Sequence, residues 1–164
     1  MKYIGIDIGD GESAVACLAE DSVIEPVIQP IDGRGSILSV VGMAGTEVRI
    51  GEKALLDRKV VHLRSRFKSR YLNTMDAERD IERFAHGLRT ALLEEADDFF
   101  DGDVYIAVGC PAGWKENDRA RYCEIMKRAG LGDVHIVSES RAAFFYARYA
   151  HELKVAPELL DQTT

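Results

Sequence analysis

Cysteine is scarce in this 164-residue sequence and poorly placed for cross-linking, because Cys17, Cys110 and Cys123 are odd in number, far apart and set among apolar residues. Such spacing suggests neither a disulfide framework nor a zinc site, and the three thiols read as small buried hydrophobes. Long hydrophobic runs are also missing. No stretch approaches the roughly 20 apolar residues that span a bilayer, and Met1 leads within two residues into a strand, leaving no room for a signal peptide. A cytoplasmic location is the default expectation. Nor is there an excess of positive charge: a formal charge of −7 and a pI near 5.1 argue against a general attraction to nucleic acid or to an anionic membrane. There is no internal repeat and no low-complexity segment.

What is present is 46% hydrophobic residues in a length that suits one packed core. A single domain over 1–164 is expected. Residues 2–8 and 13–19 read as two strands joined at Asp10-Gly11, followed by a weaker strand over 22–30, where Pro26 and Pro30 favour an edge. Ile37–Met43 and Glu47–Ile50 suggest a short strand pair, and Glu52–Asp57 a short helix. Arg58–Thr74 shows no clear pattern. Ile81, Phe84, Leu88, Leu92 and Phe99 recur at helical spacing, so a helix is expected from Asp76 to Phe99. Val104–Val108 and Val134–Val137 are continuous apolar strands of the buried kind. Helices should follow each, from about Asn117 to Ala129 with Gly130 as the stop, and from Glu139 to Leu153. An antiparallel opening followed by strand-helix-strand-helix defines an α/β domain with a mixed β-sheet flanked by helices.

Chemistry is concentrated in three places. In Ile4-Gly5-Ile6-Asp7-Ile8-Gly9-Asp10-Gly11 a carboxylate interrupts an apolar strand, and glycines on both sides of Asp10 let backbone N–H groups approach an anion. This is the pattern of a phosphate-binding hairpin, whose guest would be a nucleotide polyphosphate with magnesium. It is neither the Walker loop nor the dinucleotide fingerprint, since it opens a strand instead of a helix. Asp7 alone could merely cap its turn. Glu139, where an apolar strand becomes a helix, could alone balance the helix dipole, yet that position is the sheet rim where ligands bind. Together the two acids could hold water around a hard cation. Arg64, Arg66, Lys68 and Arg70 form a basic run, either a solvated face or the source of a cation that reaches the phosphates. Trp114 reads as a packing anchor, and His62, His86, His135 and His151 as ordinary histidines.

These motifs, in this order, resemble the ATPase domain of the actin, sugar-kinase and heat-shock-chaperone superfamily, and most of all the DnaK-type heat shock protein 70 family. Ile4–Gly9 resembles the first phosphate motif, Ile50-Gly51-Glu52-Lys53-Ala54 the "vGeeA" segment, and Ala107–Ala112 the "tVPa" strand and turn. Ala129-Gly130-Leu131 followed by Ile136–Ala143 resembles "AGL…iiNEPtAAa". The fold implied is an actin-like, ribonuclease H-like lobe with a small subdomain inserted at approximately 31–100.

The resemblance implies ATP or ADP and magnesium as cofactors. It makes Asp7 a magnesium anchor acting through water, and Gly9, Asp10 and Gly11 the phosphate loop. Glu139 would lie near the metal, through water, and near the attacking water molecule. Lys68 is the catalytic lysine if Phe67-Lys68 corresponds to "fKr", whereas a register shift would nominate Arg64 or Arg66. Pro111 and Arg119 match positions that carry nucleotide state between domains. Where the chaperones have threonine this chain has Asp10, whose charge would face a phosphate unless a cation intervenes. The second phosphate loop of the family does not appear before Thr164. The sequence is therefore expected to be the first lobe of a longer parent, inactive by itself, whose partners would be nucleotide, the second lobe, and client peptides or co-chaperones. The rival expectations are a lobe of an actin-like filament-forming or plasmid-partition protein, and a non-catalytic interaction module.

Overall fold

The computed structural model describes residues 1–19, 26–71 and 75–149. Its first strand, β1 (Lys2–Ile8), alternates: Ile4, Ile6 and Ile8 are buried while Tyr3, Gly5 and Asp7 face out. That is the two-residue period of a sheet with one covered face. The Asp7 carboxylate thus stands on the open face, while the isoleucines that alternate with it fill the core.

A tight turn returns the chain into β2 (Glu12–Ala19), paired antiparallel to β1 from Lys2↔Ala19 to Ile8↔Ser13. The Gly9 N–H donates to the Glu12 carbonyl at 3.1 Å. A Cβ on Gly9 would lie 2.5 Å from that oxygen, so the turn needs glycine whatever else it does. β2 also pairs with β3 (Val27–Ile28), an edge strand between Pro26 and Pro30, and with β4 (Ile37–Leu38). The remainder of the strand expected over 22–30 lies partly outside the described residues.

The expected strand Ile37–Met43 is divided at Ser39 between two sheets. β4 joins the large sheet, whereas β5 (Val40–Ala44) pairs with β6 (Glu47–Ile50) and β7 (Val61–Ser65) in a small antiparallel sheet. Ser39 pins the crossing: its N–H donates to the Gly11 carbonyl at 2.8 Å and its hydroxyl shares a 2.8 Å hydrogen bond with Ser13, both serines being buried. Buried hydroxyls paired in this way cost little.

α1 (Gly51–Leu56) follows the small sheet, and after β7 comes α2 (Phe67–Arg70), which resolves the unreadable segment before position 72. α3 (Met75–Glu95) is shorter than the helix expected to Phe99. Glu94, Glu95, Asp97 and Asp98 place negative charge at the negative end of its dipole, and Phe99 reaches the core from a turn closed by its N–H on the Ala96 carbonyl.

The chain then crosses to β8 (Val104–Cys110), parallel to β1, and through α4 (Glu116–Met126) to β9 (Val134–Ser138), parallel to β8. α4 runs on into a π-helical turn at Lys127–Leu131, broken by Gly130 at φ 91°. The large sheet is therefore mixed, in the order β3-β2-β1-β8-β9. α5 (Glu139–Tyr149) leaves the end of β9, and its expected continuation to Leu153 lies outside the described residues.

The core lies between the covered face of the sheet and α3 with α4. Ile4, Ile6, Ile106 and Val108 meet Phe84, Leu88, Ile125 and Met126 in one cluster. Among the described residues no helix is long and apolar enough to cross a membrane.

Candidate functional site

Parallel strands β1, β8 and β9 end side by side, and the open face at those carboxyl ends carries the candidate site. In open α/β sheets this is where ligands collect, because strand ends and the turns beyond them leave a crevice. Asp7 comes from the end of β1 and Glu139 from the β9–α5 junction. Between them lies Gly109 of β8, where a Cβ would stand 3.2 Å from Glu139 Cγ, 3.6 Å from its Oε1 and 3.7 Å from Asp7 Oδ1. The missing side chain is what lets the two carboxylates converge.

Lys68 enters from α2 and completes the cluster. Its ammonium donates a hydrogen bond to Glu139 Oε1 and lies 3.9 Å from Asp7 Oδ1. Only 5% of this lysine is exposed, against 67% of the Asp7 side chain. Its neighbours hold it there: Phe67 packs on Phe84 with ring centres 5.0 Å apart, and Tyr71 packs on Trp114 at 4.7 Å while donating its hydroxyl to the Asp118 carbonyl at 3.0 Å. Burying so long a side chain is tolerable because its charge is met by two acids.

These groups line a cavity of about 270 Å3 together with Gly9, Asp10, Ser69, Pro111 and Trp114. The turn after β8 is clasped by Arg119, whose Nε donates to the Trp114 carbonyl at 3.1 Å and whose Nη2 donates to the Ala112 carbonyl at 3.4 Å. Partial burial pushes the Asp7 carboxyl above its usual range; Lys68 opposes that shift and the Glu139 charge adds to it. Asp7, Asp10 and Glu139 outnumber the single ammonium in the cavity, so the cavity favours cations over a bare polyphosphate.

Among the described residues no group of three or more His, Cys, Asp or Glu could cage a metal ion. The donor set fits magnesium in the outer-sphere sense, because that ion keeps several waters and accepts one or two carboxylates. Asp7 and Glu139 are the residues that would hold it.

Of the sequence-derived site residues, Asp7, Gly9, Asp10, Lys68 and Glu139 share the cavity, and Gly11 is not part of its lining. Gly11 contributes its carbonyl to Ser39. Arg64 and Arg66 are exposed, so the buried cation of the basic run is Lys68. Trp114 is a packing anchor, 7% exposed, and also a wall of the cavity. Sequence reasoning missed Gly109 and Ser69. A glycine inside an otherwise apolar strand was the available signal for the first. The second carries none.

The fold and site define a mixed α/β protein with a mostly acidic crevice, holding one buried lysine, at the ends of its parallel strands. No family model matches the chain. It is similar to the chaperone protein DnaK of Thermosipho melanesiensis, with 26% identity over 149 residues, which cover 85% of this chain. The match takes in 25% of that protein's length.

Proposed function

We propose that this chain is the first lobe of an actin-like, ribonuclease H-like ATPase of the heat shock protein 70 type, whose parent binds and hydrolyses magnesium-ATP in the cytoplasm. The observation that carries the reading is Lys68 drawn into the interior between Asp7 and Glu139 at the ends of three parallel strands. A buried cation between two acids facing a cavity is suited to phosphoryl transfer, where catalysis is mostly positioning and charge stabilisation. The similarity to DnaK over 85% of the chain supports the same reading.

In this proposal the Lys68 ammonium meets the charge that develops on the transferred phosphoryl group. Glu139 orients the attacking water, and Asp7 holds the metal's hydration shell. Magnesium, when bound, would neutralise phosphate oxygens in a cavity whose own balance is negative. The Gly9–Gly11 turn closes the phosphate side. ADP would remain as product, and client peptides or co-chaperones would act through the rest of the parent.

The lobe alone supplies half a cleft. Positioning accounts for much of the barrier reduction, so the chain by itself should hydrolyse little or nothing. Titration calorimetry with magnesium-ATP should show weak or absent binding to the 164-residue chain, and sub-micromolar affinity would overturn the half-site argument. In the full-length parent, Asp7→Ala should abolish hydrolysis; unchanged turnover would remove the catalytic assignment.

A further inference from the structure

Asp10 lies on the phosphate-side turn, where its charge would repel a polyphosphate. Its carboxylate is engaged elsewhere: Oδ1 accepts the backbone N–H of Ser69 at 2.9 Å, across 59 positions of sequence. First-turn N–H groups of a helix have no partner within the helix, and they are normally met by the residue before it. Here that residue is Arg66, which makes no side-chain cap and sits in the left-handed region at φ 50°. Arginine is a donor with no acceptor to offer. Asp10 therefore does for α2 what its own flanking residue cannot.

The consequence falls on Lys68, the residue immediately before Ser69. α2 has four residues, too few to hold itself by internal hydrogen bonds. Its position rests on the Phe67–Phe84 and Tyr71–Trp114 contacts at its two ends, on Arg70, which reaches Asp80 at 3.7 Å and the Ser65 carbonyl at 3.3 Å, and on the Asp10 bond to the backbone just after Lys68.

We propose that Asp10 is a positioning residue, a latch from the β1–β2 turn that fixes α2 so that the Lys68 ammonium stays between Asp7 and Glu139. An aspartate in the phosphate-side turn is then required by the helix it holds, not by a ligand. The role bears on catalysis only through the ATPase reading, but it is tested without nucleotide.

The test uses the 164-residue chain, with two readouts: hydrogen exchange at the Ser69 amide, and acetylation of Lys68 by an amine-reactive ester, both resolved by mass spectrometry. Asp10→Ala should speed both by about tenfold, the scale a single charge-assisted hydrogen bond controls. Asp10→Asn retains a carbonyl acceptor, weaker than the carboxylate, and should fall between the parent chain and Asp10→Ala in both. Rates unchanged in Asp10→Ala, or Asp10→Asn behaving like Asp10→Ala, would overturn the latch. Should Asp10→Ala fail to fold, the unaltered chain still decides, because free exchange at Ser69 would itself exclude the bond. Nucleotide calorimetry on the same chain reports the fate of the ATPase reading separately.

Discussion

Lys68 and Glu139 stand 71 positions apart in sequence and share a hydrogen bond at the mouth of the sheet, the lysine buried and the glutamate half open to solvent. Removing the cation leaves two carboxylates facing each other across Gly109. Lys68→Met should destabilise the chain by about 1–2 kcal/mol, below the roughly 3–5 kcal/mol of a fully buried pair, because solvent screens the acids. Urea unfolding measures this. Adding Glu139→Gln should recover part of the loss by removing the charge repulsion between the two acids, and a double variant no better than Lys68→Met would show that the acids do not interact.

Gly109→Ala tests the convergence itself. The new Cβ would press on Glu139 Cγ at 3.2 Å while leaving Asp7 Oδ1 at ordinary contact distance. Glu139 should swing away from Lys68, at a cost of about 1 kcal/mol, within the range for modest overpacking. Faster acetylation of Lys68 with only a small fall in melting temperature is the expected outcome. A large global loss with unchanged Lys68 reactivity would place the strain elsewhere.

Asp7 carries a stability cost at neutral pH, and the sign follows from its raised pKa. A carboxyl whose folded pKa exceeds its unfolded one stabilises the fold when protonated. That contribution is complete below the ordinary aspartate pKa and disappears as pH rises through the elevated value. Asp7→Asn should therefore be at least as stable as the parent chain at pH 7 and should lack this part of the pH dependence, from below the ordinary aspartate pKa up to neutrality. Melting curves across that range check it. An asparagine variant clearly less stable at neutral pH would mean that attraction to Lys68 outweighs the burial.

The two acids are legible in sequence because each closes an apolar run, Asp7 near the end of Ile4–Ile8 and Glu139 after Val134–Val137. The long helix is legible because its apolar residues repeat over several turns. Lys68 is less so. All five residues of β7 are exposed, so no alternation marks the strand, and α2 is too short to display a helical period. Only the resemblance of Phe67-Lys68 to a chaperone segment singles the lysine out. Ser39 dividing one apolar run between two sheets is a tertiary event, set by Ser13 and Gly11 from the neighbouring hairpin, and local pattern carries no trace of it. The Asp10–Ser69 bond belongs to the same class, joining residues that no periodicity connects.

Tyr122 lies behind the site, fully buried, its ring edge-on to Trp114 at 5.0 Å, and its hydroxyl meets no hydrogen-bond partner among the described residues. An unpaired buried hydroxyl costs about 1–3 kcal/mol, and deleting it while keeping the ring removes that cost without opening a cavity. Tyr122→Phe should leave stability unchanged or raise it by up to about 1 kcal/mol in urea unfolding. Burial, reinforced by the charges of Glu139 and Asp7, pushes its phenol well above the usual tyrosine range, and Tyr71 is likewise raised, to about 12. Ultraviolet titration of the folded chain should accordingly show both tyrosines silent at pH 11, and the Phe variant should leave that curve unaltered. A loss of more than about 1 kcal/mol would show that the hydroxyl is satisfied in solution, by an internal water or a shifted neighbour, and is part of the wall behind the two acids.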